Sequence, residues 1–268
     1  MSPTTAESRY VFAALGDRVG DQAASRSAAY DPFTIERLAA TGLTDGWHCL
    51  EVGAGEGEIA RWLAERTAPG GRVLATDLAP ERIPEVPGLR AMRHDITRDP
   101  LPEGEFDLAH ARLVLQLLPD RAAVLARLLT ALKPGGWLQV DEFDVSYGPV
   151  LTAPDAASAE LYETFLAAKN RAFAAAGGDP QWGRKAAAEL RAAGFCAVDP
   201  QPRVVLWRAG HPGLELLVSH TRTLRHRLLE QGLTDRQLDA VRAVMRHPEF
   251  SAASCAMYSV QARRPAFT

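Results

Sequence analysis

Residues Leu50-Glu51-Val52-Gly53-Ala54-Gly55-Glu56-Gly57 place one carboxylate just before three glycines at alternate positions. Glycine adopts positive φ at little steric cost and lets a ligand approach the backbone closely. A helix opening after such a turn aims its free N–H groups at the same ligand. Glu51 narrows the ligand: its carboxylate accepts from an amine or a hydroxyl but repels a phosphate. Asp77 follows Gly57 by 20 residues. At that spacing, a strand-end acid hydrogen-bonds ribose hydroxyls in nucleotide-binding α/β folds; its other reading is a helix N-cap before Ala79-Pro80-Glu81-Arg82. An unperturbed histidine titrates near pH ~6.5, which makes His110 a candidate general base. Its alternative is a packing or cofactor-shell residue. Asp141 and Glu142 are adjacent, and strand side chains alternate, so one of them faces the pocket. There it can take a substrate proton, bind a metal or cap the next segment. The clustered oxygen ligands that a metal site needs are not recognisable in the sequence.

These residues need elements to hold them. Trp47, Cys49, Leu50 and Val52 read as a buried strand. After the glycines, Ile59, Ala60, Trp62 and Leu63 recur at helical spacing up to about Thr67. Ala68-Pro69-Gly70-Gly71 stops that helix, and Arg72–Asp77 is the second strand. Leu89–Ile96 is a weaker third strand ending around Asp95. Phe106–Ala111 is the fourth, with His110 and Arg112 at its carboxyl end, where open α/β sheets bind ligands. Asp120 caps a helix over Ala122–Leu132, which Lys133-Pro134-Gly135-Gly136 closes before a fifth strand, Trp137–Asp141. Strands alternating with helix-length connections over 46–141 predict a parallel, doubly wound sheet. Beyond lie predicted helices over 156–176 and 181–193, a sixth strand at Arg203–Trp207, helices Pro212–Glu230 and Thr234–Met245, and a last strand at Ser254–Ala262. Upstream, Asp31-Pro32 is expected to start a helix with Phe33, Ile35, Leu38 and Ala39 on one face. Tyr10–Leu15 is either a cap over the core or a lid in which Tyr10 touches a ligand. His220 and His226, six apart on a predicted helix, point to different faces.

The run acidic-x-Gly-x-Gly-x-Gly at Glu51–Gly57, the strand-end acids Asp77 and Asp95, Phe106-Asp107-Leu108, and Leu132-Lys133-Pro134-Gly135-Gly136 occur in a characteristic order. Together they resemble class I S-adenosylmethionine-dependent methyltransferases of the small-molecule type, similar to bacterial enzymes of secondary metabolism. The resemblance is strong over about 46–145. It implies an α/β fold: a doubly wound seven-stranded sheet, mostly parallel with an antiparallel last strand. Residues 1–45 are then a helical cap, and 46–268 a Rossmann-like domain with helical insertions at about 143–180 and 211–248 that build a substrate pocket. S-adenosylmethionine is the implied cofactor. Gly53, Ala54, Gly55 and Gly57 would cradle its methionine and ribose, Glu51 would lie near its ammonium, and Asp77 would hold its ribose. Leu78 would pack on the adenine, Asp95 would accept the adenine amino group, and Ile96 would flank the ring. His110 and Tyr10 are further contacts. The implied activity is methyl transfer to O, N or C of a small molecule, a natural-product intermediate. Alternatives are cyclisation or rearrangement on the same fold, or cofactor binding without catalysis. A nicotinamide-dependent oxidoreductase fits poorly, because its Gly-x-Gly-x-x-Gly puts the third glycine one residue later.

Composition narrows the partners. The 268 residues are 47% hydrophobic and 24% charged, enough for one α/β domain with an elaboration. A net charge of −3 gives no electrostatic reason to expect nucleic acid or an anionic membrane. No apolar run predicts a membrane span, and the first residues carry no secretory pattern. Cys49, Cys196 and Cys255 lack zinc spacing and are expected to be buried and reduced in a cytoplasmic protein. A homodimer is the assembly considered.

Overall fold

The structure is a computed structural model describing residues 19–266. Tyr10, the lid contact expected from the sequence, lies outside them. In chain order the elements are α1 (Val19–Ala40), β1 (His48–Val52), α2 (Glu58–Thr67), β2 (Arg72–Asp77), β3 (Leu89–Arg93), β4 (Phe106–Arg112), α3 (Arg121–Ala131), β5 (Leu132–Asp144), β6 (Val150–Thr152), α4 (Ala156–Ala175), α5 (Trp182–Ala192), β7 (Cys196–Arg203), β8 (Leu206–Arg208), α6 (Pro212–Thr223), α7 (Arg225–Glu230), α8 (Asp235–Met245), β9 (Ser251–Ala253) and β10 (Ala256–Arg263). Seven strands form one sheet in the order β3-β2-β1-β4-β5-β10-β7, and β6-β9-β8 form a second, smaller one. The pairings β1–β2, β1–β4, β2–β3 and β4–β5 are parallel, while β10 and β7 are antiparallel. This is the doubly wound, mostly parallel sheet expected from the alternation of elements.

The chain divides into two compact units. One holds 31–143, 182–203 and the described part of 257–268, and so the core of the large sheet. Cys49, Leu50 and Val52 of β1 are buried because a central parallel strand is covered on both faces. One apolar cluster joins Leu38, Ile59 and Leu63 to β1, and another joins Leu125, Leu128, Trp182 and Leu190 to β4 and β5. Helices α2, α3 and α5 thus supply the apolar faces that the strands require. Asp107 accepts from the His48 N–H at 2.8 Å and from Lys133 Nζ at 2.7 Å. Two residues of the sequence signature therefore hold strands together. The other unit holds 144–181, 204–256 and the described part of 1–30. It contains the small sheet and helices α4, α6, α7 and α8. No described helix is long and apolar enough to cross a membrane.

Several expectations change. The sixth strand of the large sheet is β7, and Leu206–Arg208 belongs to the small sheet. β7 carries Pro200 and Pro202 and is mostly exposed, which an edge strand tolerates; the apolar run Val204–Trp207 misled the pattern. Helix α1 does not begin at Asp31-Pro32 but runs through it, with Pro32 inside. The third strand stops at Arg93, because Asp95 and Asp99 take their hydrogen bonds in a local turn. The helix expected over Pro212–Glu230 breaks at Leu224 into α6 and α7. Only Cys49 is buried; Cys196 is exposed and Cys255 partly so. Asp120 does cap α3 by accepting from the Ala123 N–H at 3.1 Å, and Thr234 caps α8 in a reciprocal box with Gln237.

Replacing Leu128, which is wholly buried under the sheet, by alanine should cost about 2–5 kcal/mol of stability. Urea unfolding followed by circular dichroism reads this; an unchanged midpoint would mean that α3 does not pack as described.

Candidate functional site

The turn after β1 depends on its glycines. Gly53, Gly55 and Gly57 have φ of 65°, 61° and 83°, values that disfavour side chains. A Cβ on Gly53 would lie 2.4 Å from Val114 Cγ2, and one on Gly57 would lie 2.9 Å from Pro84 Cδ. Gly57 is the N-cap of α2 and offers no side-chain acceptor, so the helix's first N–H groups stay open to a ligand. Asp77 Oδ2 accepts from the Gly55 N–H at 2.9 Å, and Oδ1 accepts from the Ala79 N–H at 2.9 Å. The end of β2 is thus tied to the turn, and each carboxylate oxygen keeps a lone pair for a further donor. Leu78, beside it, is 55% exposed, a large apolar surface at the strand ends. Asp95 accepts from the Thr97 N–H at 2.9 Å and Thr97 Oγ1 at 2.6 Å, and lies 3.7 Å from Arg98 Nε. Ile96 is buried in the core. A cradle of open N–H groups, a strand-end acid and an exposed leucine fits a nucleoside-bearing cofactor such as S-adenosylmethionine.

Beside the turn lies a buried polar row. The parallel register sets Glu51 against His110 and His110 against Gln139. Side chains in register on neighbouring strands share a face of the sheet. Glu51 Oε2 lies 2.7 Å from His110 Nδ1, and His110 Nε2 lies 3.2 Å from Asp141 Oδ2. His110 and Asp141 are 0% exposed and Glu51 is 3% exposed. Burial by itself disfavours the imidazolium, but the Glu51 charge and the hydrogen bonds to Asp141 and Glu51 outweigh it and lift His110 to about 9. Burial likewise pushes the Asp141 carboxyl up, yet bonding to His110 holds it below the usual carboxylate range. Gln139 Nε2 donates to Asp141 at 3.1 Å, and Gln261 Nε2 donates to Gln139 Oε1 at 2.9 Å. The row therefore crosses β1, β4, β5 and β10. Arg112 is engaged elsewhere, by Asp31 at 2.6 Å and Thr34 at 3.3 Å.

Glu142 faces a different task. Its Oε1 accepts from the Val114 N–H at 3.1 Å and the Leu115 N–H at 2.8 Å. Its Oε2 is buried and has no hydrogen-bond partner among the described residues. Burial lifts its carboxyl to about 8, although those backbone N–H bonds pull the other way. Just before this loop, Leu113 has φ 58°, a left-handed conformation rare for leucine. Its N–H donates to the Asp141 carbonyl at 2.9 Å. Strain of this kind persists only where neighbours hold it. Glu142 supplies that hold, and the loop carries Val114 against Gly53.

The sequence named Glu51, His110, Asp141 and Glu142, and all four are at the ends of β1, β4 and β5. It missed Gln139, Gln261 and the Leu113–Val114 bend. Gln139 between Leu138 and Val140 was a readable signal, since a polar side chain in an apolar strand needs a buried partner. Among the described residues no group of three or more His, Cys, Asp or Glu could hold a metal.

A methyltransferase-domain profile matches residues 50–138. The trans-aconitate 2-methyltransferase of Deinococcus radiodurans is 34% identical over 181 residues, 65% of this chain and 67% of that protein. Methyltransferase str2 of Strobilurus tenacellus is 35% identical over 137 residues, 50% of this chain. The chain spans under half the length of str2 and its companion str3, 48% and 41%. Among solved structures, a protein assigned as a methyltransferase from Bacillus halodurans C-125 aligns with TM-score 0.54 at 14% identity, over 86% of this chain and 98% of that one; this likeness concerns the fold.

Replacing Glu142 by alanine strands the buried Leu115 N–H, worth about 1–3 kcal/mol when left unsatisfied, and the part-buried Val114 N–H. The Glu142→Ala variant should therefore unfold at lower temperature, and Glu142→Gln, which keeps an acceptor, should lose less. Differential scanning calorimetry compares them; equal losses would remove the clamp assigned to this side chain.

Proposed function

The chain belongs to the class I S-adenosylmethionine-dependent methyltransferases, and on that premise we propose that it moves a methyl group from S-adenosylmethionine to O, N or C of a small-molecule acceptor. The observation carrying this reading is the charge of the buried row. Two carboxylates and one imidazolium leave one negative charge in excess at the end of β1. That suits a cofactor bearing an ammonium and a sulfonium, and it opposes a pyrophosphate.

When bound, the cofactor supplies a methyl group already activated by its positive sulfur. The chain's residues have the other tasks. The backbone from Gly53 to Gly57 holds the methionine and ribose portion, with Glu51 beside the ammonium. Asp77 takes the ribose hydroxyls on its free lone pairs. Leu78 covers one face of the adenine, while Asp95 and Ile96 serve its edge and other face. Holding donor and acceptor in line supplies roughly 7–11 kcal/mol of rate enhancement by orientation. His110 acts by position: both ring nitrogens are taken by carboxylates, so it fixes the rotamer of Glu51. Asp141 anchors that imidazolium, and Glu142 shapes the β4 loop. Proton removal is assigned to none of the three, because each is shut from solvent and already bonded. The unit holding α4, α6 and α8 recognises the acceptor. We infer further that this acceptor is a natural-product intermediate and that the protein acts in the cytoplasm, as a homodimer. The modest net charge and the similarity of sequence pattern support the small-molecule acceptor.

Calorimetry should find S-adenosylhomocysteine binding at micromolar Kd, with Asp77→Ala at least about tenfold weaker, since bonds to a charged acceptor contribute ~1.5–3 kcal/mol. Binding of NADH in place of the sulfur compound would sink the reading. A second outcome concerns pH. The groups facing His110 are Glu51 and Asp141, both negative. Raised from 6.5 to about 9, His110 contributes stability that is fully present below pH ~6.5 and lost as pH rises through about 9. The loss is at most about 3 kcal/mol. Glu142, raised from 4.5 to about 8, loses its contribution in the same direction, from pH ~4.5 upward through about 8. Melting temperature should fall between pH 6.5 and 9, and more shallowly in His110→Asn. Parallel profiles for the two proteins would deny His110 its charge.

A further inference from the structure

A cavity of about 30 Å³ lies wholly within the unit that holds α4. Tyr162, Leu166 and Lys169 present one face of α4 to it, at helical spacing, and Trp207, Leu217 and Cys255 form other walls. These walls are fixed. The Tyr162 ring lies 4.9 Å from that of Phe250, and Trp207 packs on Gly213 and 5.9 Å from the His211 ring. Among the described residues, Lys169 is the one formally charged group lining the cavity, and it has no hydrogen bond or ion pair there. The Asp144 carboxylate acts on Cys255 but not on Lys169, and the groups that do act with Lys169 are uncharged. Burial pushes the Cys255 thiol up, so it stays neutral, and its sulfur lies 3.8 Å from the Tyr30 hydroxyl. Burial, then the charges of Lys169 and Arg26, push His220 down to about 3, so it too is neutral. Burial pulls Lys169 itself downward, the mark of an ammonium whose lost hydration is not replaced. A half-buried cation without a counter-charge has lost part of its hydration, and a ligand anion would offset that loss.

Size decides which anion. A space of this volume holds about two waters, the bulk of one carboxylate, and is too small for a whole acceptor. Its other walls are apolar and aromatic. We propose that the cavity is a carboxylate subsite: Lys169 pairs with the carboxylate of a small organic acid, whose remaining atoms lie outside the cavity. The assignment rests on the cavity and on Lys169, and is independent of the methyltransferase reading.

The probe is cinnamate, with the uncharged cinnamamide as its match, titrated calorimetrically into the full chain saturated with S-adenosylhomocysteine. Cinnamate should bind at least about tenfold more tightly than cinnamamide, and the preference should shrink as salt rises. Lys169→Met should erase the preference, with S-adenosylhomocysteine affinity reporting that the variant is folded. Equal affinity for the two probes, or binding of neither by a protein that binds S-adenosylhomocysteine, overturns the subsite and leaves the methyltransferase reading standing. If the variant does not fold, the comparison of the two probes on the unaltered protein still decides. A cinnamate preference in a protein that binds no sulfur cofactor would keep the subsite and overturn the methyltransferase reading instead.

Discussion

The Glu51–His110–Asp141 contact is the constraint on which the end of the sheet depends. Three ionisable groups are enclosed where water cannot solvate them, each on a different strand. Such an arrangement is tolerable only when each charge faces its opposite at hydrogen-bond distance, and removing one member leaves another exposed to the full cost of burial. The row therefore ties the position of β1 to that of β4 and β5 more tightly than the backbone ladder alone. Gln139 and Gln261 extend it to β10, so that four neighbouring strands share one chain of side-chain hydrogen bonds.

From that fixed end two loops take their shape. The glycine turn leaves β1 directly after Glu51, and its Gly55 N–H is held by Asp77. The bend after β4 carries Leu113 at positive φ, held by the Asp141 carbonyl and the Glu142 carboxyl beneath. Val114 presses on Gly53, so the two loops shape each other, and a side chain at Gly53 would force them apart. A carboxyl that rises to about 8 because it is buried, yet accepts two backbone N–H bonds, is costly to keep. The cost is offset because it holds a backbone conformation that leucine does not choose unaided.

The unit built on α4, α6 and α8 works differently. It places on a small cavity a lysine that has no ion pair among the described residues. The large sheet pairs its buried imidazolium with carboxylates on both sides, whereas the Lys169 ammonium lines a cavity.

Much of this was legible in the sequence, and the reasons differ by residue. Glu51, the glycines, Asp77, His110 and Asp141 stood at strand ends because alternating β and α patterns fix where strands end, and a parallel sheet gathers those ends on one side. The five central strands followed from apolar runs and their turn signals, physics that is local to a few residues. The edge was not legible: β7 is exposed and proline-bearing, and Val204–Trp207 looked more like a strand than it did. Pro32 looked like a helix start, yet α1 runs through it. Nor could the sequence say what His110 does. One histidine reads alike as a base, a ligand or a brace. Only the register of three strands, with a carboxylate on each ring nitrogen, decided that it is held on both sides. The same holds for Glu142 and Lys169. Their charge is written in the chain, but whether a charge is paired depends on groups distant in sequence, and only the tertiary structure brings those together or leaves them apart.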